Sequence, residues 1–219
     1  MRQMQEMHRM SIQAISSKPQ IIEVPAPPAP KSCFLNGQIV TRVSADGTHE
    51  RVAIEEIKEH DQVLTSNAEG VIAPKQVGLA MNHEAQLHKL VDITLASGKT
   101  IQSTDDHYMQ VWTNGAYEMK AATDVQRGDI LHTVQSGSDS LVEESITCVR
   151  RYKMVVPVSN FVAFDNLIVN DIVTTWKARN GAPDCVVGLC EFISEHCSFE
   201  TTHKTLKTAE WFCVNVLGV

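Results

Sequence analysis

The chain has 219 residues, of which 43% are hydrophobic, and it carries a formal net charge of −7. This length allows one domain of about 140 residues with extensions, and the composition allows a substantial core. The net negative charge, the lack of any Lys/Arg run and an aromatic content of 5% argue against nucleic acid as a partner.

Membrane and export signals are not expected in this sequence. No stretch approaches the roughly 18–20 apolar residues that span a bilayer. Residues 1–17 lack the apolar run of a secretory signal, because charged residues are scattered through them. Six cysteines are too few for a disulfide scaffold. We therefore expect an intracellular protein, cytoplasmic by default, that has no membrane span.

The N-terminal segment, residues 1–32, reads as an appendage to the main domain. Residues 1–17 fit one short helix, which would be marginal on its own. Residues 18–32 contain five prolines and predict an extended linker with polyproline II character. Ser32 and Cys33 then stand at the boundary between a tail and a domain. We expect the linker to keep the peptide bond between them accessible.

From Cys33 to about Thr175 the sequence predicts an all-β domain. Short runs of Val, Ile, Thr and Leu alternate there with turn signals. The predicted strands are 38–43, 51–54, 62–65, 87–95, 100–103, 108–113, 130–134, 145–156 and 167–173. Short helices of one or two turns are predicted only at 54–59 and 120–125.

Two segments of the β region resemble each other. Ile57–Leu64 and Val125–His132 match at one fixed offset, and each leads through an Asp, Asp61 or Asp129, into an apolar strand. We expect these Asp residues to hold turns. The match suggests a duplicated β unit with pseudo-two-fold symmetry.

Residues 176–219 form a mixed C-terminal extension. A helix is predicted over 185–197, and 206–216 fits either a helix or a strand. The spacing of Cys185, Cys190 and Cys197, with His196 and His203 nearby, is a poor zinc pattern. A packed apolar face is the preferred interpretation, so no metal and no cofactor is expected.

Candidate chemistry lies at Cys33 and at the motif Thr104-Asp-Asp-His107. A cysteine at the first residue of a folded domain, after a disposable segment, suggests chemistry on the bond in front of it. Thr104 and His107 follow a strand and can both point at one site across a tight turn. The two acids between them are interpreted as solvated charges or turn formers.

The span 33–175 resembles the Hint fold that is shared by inteins and by the autoprocessing domain of hedgehog proteins, and it is closest to the hedgehog type. The ordered motifs that carry the resemblance are Cys33-Phe34, G-x-x-x-R-V-x-I-E-E-I-x-x-x-D-x-V-L over 47–64, S-G-x-x-I-x-S-T-x-x-H over 97–107, A-x-x-V-x-x-G-D-x-L over 122–131, Pro157-Val-Ser, and L-I-V-N-D-I-V-T-T over 167–175. Such a fold implies the duplicated β unit inferred above.

The resemblance implies autocatalytic self-cleavage, with the N-terminal segment 1–32 as the substrate. Cys33 would be the nucleophile that attacks the carbonyl of Ser32 and converts the amide into a thioester. His107 would protonate the departing nitrogen of Cys33, and Thr104 would hydrogen-bond the scissile amide. The thiol would need a local base or a lowered pKa.

The acceptor that resolves the thioester is less defined. Hedgehog domains use an acidic residue upstream of the Thr-x-x-His motif to activate a sterol, and the local match places Asn82 there. An amide cannot act as a general base, so His83 or Glu84 would have to substitute. Water, a small thiol or an amine is therefore favoured over a sterol.

Splicing is not expected, because the segment Val169-Asn170-Asp171 lacks the His-Asn ending of inteins that precedes Cys, Ser or Thr. C-terminal cleavage at Asn170 is a minor alternative. Two rival functions are a degenerate Hint fold that only binds or presents its tail, and a thiol hydrolase that acts in trans through Cys33 and His107. A Cys33→Ala variant separates the first rival from self-cleavage.

Overall fold

The computed structural model describes residues 32–135, 138–176 and 199–212, and within the helix it describes the side chains of residues 200–208. The predicted helices over 1–17 and 185–197, and the Pro-rich segment up to residue 31, lie outside the described residues. In the described part of the chain, thirteen strands join in one hydrogen-bonded network, and one α-helix follows them. The all-β prediction is confirmed.

The strands follow one another with short turns. Their bounds are β1 Phe34–Leu35, β2 Ile39–Val43, β3 His49–Ala53, β4 Gln62–Ser66, β5 Ile72–Gln76, β6 Leu79–Leu95, β7 Thr100–Thr104, β8 Tyr108–Thr113, β9 Ala116–Ala121, β10 Ile130–Val134, β11 Leu141–Val162, β12 Asn166–Val169 and β13 Ile172–Thr174. Two 3₁₀ turns, Ile54–Glu56 and Ala122–Asp124, replace the predicted helical turns. The helix α1 spans Phe199–Phe212, so residues 206–212 of the segment 206–216 are helical, and 213–216 lie outside the described residues.

The duplication predicted from the sequence is present in the hydrogen bonding. Each 3₁₀ turn is followed by an Asp-centred turn in which the carboxylate accepts a backbone N–H three residues earlier, from Lys58 to Asp61 and from Gln126 to Asp129, both at 2.9 Å. The carbonyl oxygens of Asp61 and Asp129 then accept the N–H groups of a later segment, both at 2.8 Å. Both Asp residues therefore hold turns, as expected.

A long antiparallel pair, β6 with β11, forms the backbone of the fold. It extends from the Ile146–Leu95 pair to the Val162–Leu79 pair, with two register shifts on the way. The sequence predicted only 87–95 and 145–156. The first half of β6 was missed because Asn82, His83 and Glu84 interrupt the alternation of apolar and polar residues. This half is a strand because its residues pair with β11, and the local sequence does not show that pairing.

Three strands were missed entirely. β1 has only two residues, which is too short for an alternating pattern. β5 contains Pro74 and pairs only with β4, so it is an edge strand, where a residue without an N–H is tolerated. β9 pairs only with β8, and its sequence overlaps the predicted helical turn. The predicted strand 167–173 is split into β12 and β13, because Asn170 and Asp171 both adopt positive φ and turn the chain back on itself.

The apolar core lies between the sheet layers and fixes the strands that carry the candidate site. Its largest fully buried side chains are Phe34, Phe161, Leu90, Ile93, Leu95, Ile101, Met109, Leu131, Ile146, Leu167 and Ile172. Phe34 packs in this core directly after Cys33, and Ile101 and Met109 flank the Thr-x-x-His motif. Core packing therefore holds both halves of the candidate site against each other.

The helix α1 packs beside the start of β6. Leu206 is buried against Leu79 and Val162, and Trp176 packs on the same cluster. His203 donates from Nδ1 to the carbonyl oxygen of Gly78 at 2.8 Å. None of the helices in the described part of the chain has the length and apolar character that a membrane span requires.

Candidate functional site

The Ser32–Cys33 peptide lies inside the domain. Phe34 pairs with Ser103 on β7 and with Ser159 on β11, so the first strand is inserted between two others. Ser32 is 5% exposed and Cys33 is 1% exposed. The expectation that the Pro-rich segment keeps this bond accessible is wrong, because the pairing of the first strand draws the preceding peptide into the core.

Thr104 contacts the amide between Ser32 and Cys33 directly. The backbone N–H of Cys33 donates to Thr104 Oγ1 at 3.0 Å. The backbone N–H of Thr104 in turn donates to the carbonyl oxygen of Cys33 at 2.8 Å. Thr104 ends β7, and the sheet pairing of that strand sets the position of its hydroxyl. Cys33 is therefore held on both sides by one residue.

His107 lies at the same peptide. Its Nδ1 is 3.1 Å from Ser32 Oγ, and its Nε2 is 3.5 Å from Thr174 Oγ1. The Ser32 hydroxyl donates to the carbonyl oxygen of Trp176, so its oxygen can accept from an Nδ1–H. The ring packs on Phe34 at a centroid distance of 4.2 Å. This places a neutral ring N–H beside the peptide.

Burial sets the protonation of both reactive groups. His107 is fully buried, which lowers its pKa to about 4, although hydrogen bonds to the backbone of Ser32 and Thr175 oppose the shift. Burial also raises the pKa of the Cys33 thiol to about 12, and the negative charge of Asp106 adds to the effect. At neutral pH the site therefore holds a neutral imidazole and a neutral thiol.

Asn160 is a site residue that the sequence analysis missed. Its side-chain amide donates to the carbonyl oxygen of Ser32 at 2.5 Å and lies 3.2 Å from the carbonyl oxygen of Trp176. It is 4% exposed, on the inner part of β11. The available signal was a lone amide in an otherwise apolar stretch, directly after the Pro157-Val-Ser motif.

Asp106 also lies nearer to Ser32 than expected. Its Oδ1 accepts the backbone N–H of Ser32 at 3.3 Å. Asp105 is the solvated charge that was expected of both acids, since it pairs with Lys89 at 3.7 Å. Ser32 is thus bound through its N–H, its hydroxyl and its carbonyl.

The candidate second-step residues lie on β6. The Asn82 side chain is exposed and donates to the carbonyl oxygen of Glu55 at 3.0 Å. His83 is half-buried opposite Val158, and Glu84 is exposed. Burial lowers the pKa of His83, and the neighbouring His88 adds to this. Asn82 is therefore engaged away from the Ser32–Cys33 peptide.

Among the described C-terminal residues, Thr174 reaches the site through His107 and Trp176 reaches it through Ser32. The Asn170 side chain is used in packing, because it accepts the N–H of Ile39 at 2.7 Å and donates to the carbonyl oxygen of Thr100 at 2.9 Å. The residue whose carbonyl meets Ser32 is Trp176. An indole cannot cyclise onto the chain as an asparagine side chain can.

Most of the Cys and His residues considered as zinc ligands in the segment 176–219 are not described by the structure. Cys185, Cys190, His196, Cys197 and Cys213 lie outside the described residues. His203 contacts Gly78 and lies 3.8 Å from Glu59 through Nε2. The described ranges contain no cluster of three or more His, Cys, Asp or Glu side chains that could hold a metal ion.

Solved inteins are similar to this chain in structure. An intein from a hyperthermophile aligns with a TM-score of 0.59 and 20% identity, covering 66% of this chain and 99% of that one. A bacterial intein-like domain from Clostridium thermocellum aligns at 0.53 with 25% identity, covering 67% and 99%. A DnaB intein from Synechocystis aligns at 0.52 with 15% identity, covering 66% and 98%.

At the level of sequence, no protein-family model and no curated protein matches the chain. The structural likeness covers whole solved inteins and the thirteen-stranded part of this chain. Together with the duplicated turns and strands, it identifies the described β domain as a Hint fold of the intein kind.

Proposed function

We propose that this Hint domain cleaves its own chain before Cys33 through a thioester. The observation that carries the proposal is the convergence of three side chains on the Ser32–Cys33 peptide. The Thr104 hydroxyl accepts the N–H of this peptide, and the Asn160 amide donates to its carbonyl oxygen. The His107 ring lies beside the peptide, in contact with the Ser32 hydroxyl. A merely structural cysteine does not require an amide donor on the preceding carbonyl.

The attack itself follows from these contacts. Cys33 Sγ adds to the carbonyl carbon of Ser32, and negative charge develops on the Ser32 oxygen. Asn160 already donates to that oxygen in a buried site, which is the arrangement of an oxyanion donor. The C–N bond then breaks, and the acyl group of residues 1–32 remains on sulfur.

The proton balance assigns the role of His107. The shift moves one proton from the thiol to the nitrogen, and His107 is placed to deliver it. Because burial lowers its pKa to about 4, the imidazole is neutral at rest. It takes up the thiol proton as Sγ attacks, and the imidazolium then gives that proton to the nitrogen of Cys33 as the C–N bond breaks. The raised pKa of Cys33 means that the thiol keeps its proton until attack begins.

Backbone strain favours the same step. Ser32 has φ of 63°, in the left-handed region that residues other than glycine rarely adopt. Such a conformation costs about 1–3 kcal/mol and persists only where surrounding contacts enforce it. Breaking the Ser32–Cys33 bond releases the constraint, which partly offsets the lower stability of a thioester relative to an amide.

Cleavage without splicing is the outcome that the C-terminal part of the site supports. The side chain of Asn170 is hydrogen-bonded to Ile39 and Thr100, and among the described C-terminal residues the one that contacts Ser32 is Trp176, through its backbone carbonyl. This accords with the hedgehog-type resemblance of the sequence motifs. The proposed products are a chain that begins at Cys33 and a released segment 1–32.

A non-cleaving Hint scaffold is the second candidate. The observation in its favour is the burial of Cys33, which raises the thiol pKa to about 12 and slows any attack. Such a scaffold would keep the fold and present its termini. It would not require the amide contact between Asn160 and the Ser32 carbonyl.

Intact mass spectrometry of the full chain tests the two candidates. The wild-type chain, incubated with dithiothreitol, is expected to yield a product that begins at Cys33 at a rate that increases with thiol concentration. Cys33→Ala should remain uncut. Cys148→Ala is the matched control, since Cys148 is an exposed free cysteine, and it should cleave like the wild type. If folded wild-type protein shows a single uncut mass over days, the self-cleavage proposal is wrong and the non-cleaving scaffold is favoured.

A further inference from the structure

His88 is a buried histidine that the thioester step leaves unused. It lies on β6 and is 3% exposed. Its Nε2 is buried and has no hydrogen-bond partner among the described residues. Buried polar side-chain atoms are bonded in the large majority of cases, so an unpartnered ring nitrogen calls for an explanation. A site that receives a transient partner is one such explanation.

The strand register places His88 beside the reactive peptide. Leu90 on β6 pairs with Thr104 on β7. At the next position, the carbonyl oxygen of Lys89 accepts the N–H of Asp105 at 3.0 Å. The following position on β6 is His88, which therefore lies beside Asp106. Asp106 is the residue that accepts the N–H of Ser32.

The same register turns His88 toward Cys33. Directly paired residues of antiparallel strands share a face, and here Leu90 pairs with Tyr152, His88 with Met154 and Gln86 with Val156. Leu90 and Val156 pack with Cys33 in one buried cluster, and Tyr152 packs against it. By this register His88 lies on the same face, between the Leu90–Tyr152 and Gln86–Val156 pairs whose Leu90 and Val156 pack on Cys33.

We propose that His88 is the general base of the second step and that the acceptor is water. This inference rests on the proposed thioester. His88 Nε2 takes a proton from water as the water oxygen attacks the Ser32 carbonyl carbon. The resulting oxyanion is held by Asn160, the C–S bond breaks, and the Cys33 thiolate recovers the proton from His88. Ser32 leaves as a free carboxylate, with its proton lost to solvent.

The other histidines near the site fit this role less well. His107 has both ring nitrogens near the hydroxyls of Ser32 and Thr174. His83 shares the Cys33 face through its pairing with Val158 but is half-exposed. The ionisable groups that act on His88 are Asp106, from the turn after β7, and His83, on its own strand. Tyr152 and Cys33 belong to the cluster that contains Leu90, on the same face of β6 as His88.

Two readouts on the full chain separate the steps. Cleavage with dithiothreitol reports formation of the thioester, because a thiol supplies its own thiolate and needs no base. Cleavage in buffer without thiol reports hydrolysis. His88→Gln is expected to leave thiol-induced cleavage within about twofold of wild type and to slow hydrolysis by about 10²-fold or more. The thioester should then accumulate and be trapped by hydroxylamine.

His132→Gln is the matched control. His132, on β10, also has a buried ring nitrogen without a hydrogen-bond partner among the described residues. Its ring packs against Trp112 on β8 and Tyr117 on β9. It should hydrolyse like the wild type. The pH profile adds a readout that a structural role would not move. Burial lowers the pKa of His88, with the charge of Asp106 opposing the shift, so wild-type hydrolysis should fall at a pH below the ordinary pKa of histidine, as His88 becomes protonated, whereas His88→Gln should lose this dependence.

The outcomes are distinguishable. A wild-type chain that thiol does not cleave overturns the thioester and the inference together. Thiol cleavage with His88→Gln hydrolysing at the wild-type rate, or with hydrolysis lost only in His83→Gln, overturns the role of His88 alone. Thiol cleavage without detectable hydrolysis overturns water as the acceptor. If His88→Gln loses thiol cleavage, His88→Asn is measured, and loss in both variants overturns a role confined to the second step.

Discussion

The side-chain amide of Asn160 donates to the carbonyl oxygen of Ser32 at 2.5 Å, across 128 residues of sequence. The carbonyl is the one that Cys33 would attack. The contact is buried and is made before any reaction occurs. A donor fixed in this way needs no reorganisation when charge develops on the oxygen.

Asn160→Ala should therefore slow thiol-induced cleavage by about 10²–10³-fold, the range found when one oxyanion donor is removed. The measurement is the rate of appearance of the chain that begins at Cys33. Asn67→Ala is the matched control, because Asn67 caps the turn between β4 and β5 and makes no contact with Ser32. Equal rates in the two variants would refute the oxyanion role.

Thr104→Val should slow the same reaction by about tenfold, because it leaves the N–H of Cys33 without its acceptor. A hydrogen bond of this kind contributes about 0.5–1.5 kcal/mol. Thr104→Ser keeps the hydroxyl and should restore most of the rate. Thr113→Val, at the exposed end of β8, tests for a general effect of the substitution. No rescue by serine would argue against the hydrogen bond as the cause.

His107 predicts a pH-dependent stability. Its pKa is lowered to about 4 in the folded chain, so the unfolded chain binds the extra proton between about pH 6.5 and pH 4. Folding stability should fall as the pH decreases through this window, by about 3 kcal/mol from this one group. Urea unfolding at a series of pH values measures the slope.

The comparison is His107→Gln. Between about pH 6.5 and pH 4 its free energy of unfolding should fall less than that of the wild type, by the same amount. His49→Gln changes an exposed histidine on β3 and should keep the wild-type slope. An unchanged slope in His107→Gln would mean that the burial of this imidazole does not control the acid stability of the domain.

Leu206 should couple the helix α1 to the site. Leu206→Ala removes buried contacts with Leu79 and Val162 and should lower the free energy of unfolding by about 2–5 kcal/mol. Cleavage should slow by less than about tenfold, because in the described part of the chain the link from Leu206 to Ser32 runs through Trp176, which packs on the Leu206 cluster. Urea unfolding and limited proteolysis within 199–212 measure the effect.

The control for the helix is Lys204→Ala, since Lys204 is exposed and pairs with Glu200 on the same helix. It should change stability by no more than about 0.5 kcal/mol. Equal protease sensitivity of the Leu206 and Lys204 variants would show that Leu206 does not hold the helix in place.

Local pattern in the sequence was enough for much of the fold. Strands such as β8 and β10 were predicted to the residue, because alternation and flanking turn residues act over a few positions. The Asp61 and Asp129 turns were visible as a repeat for the same reason. The boundary cysteine and the Thr104–His107 motif also lie in short, readable segments.

Only the tertiary structure decided which residues meet at the Ser32–Cys33 bond. Asn160 reaches that bond through the register of β11, and the register of β6 places His88 on the same face as Leu90. Register depends on pairing between distant strands, not on local pattern. The burial of the bond has the same origin, since β1 becomes covered only when β7 and β11 pair with it. Sequence by itself determined the nucleophile candidate, the turns and most strands, whereas long-range strand pairing determined the environment in which that nucleophile acts.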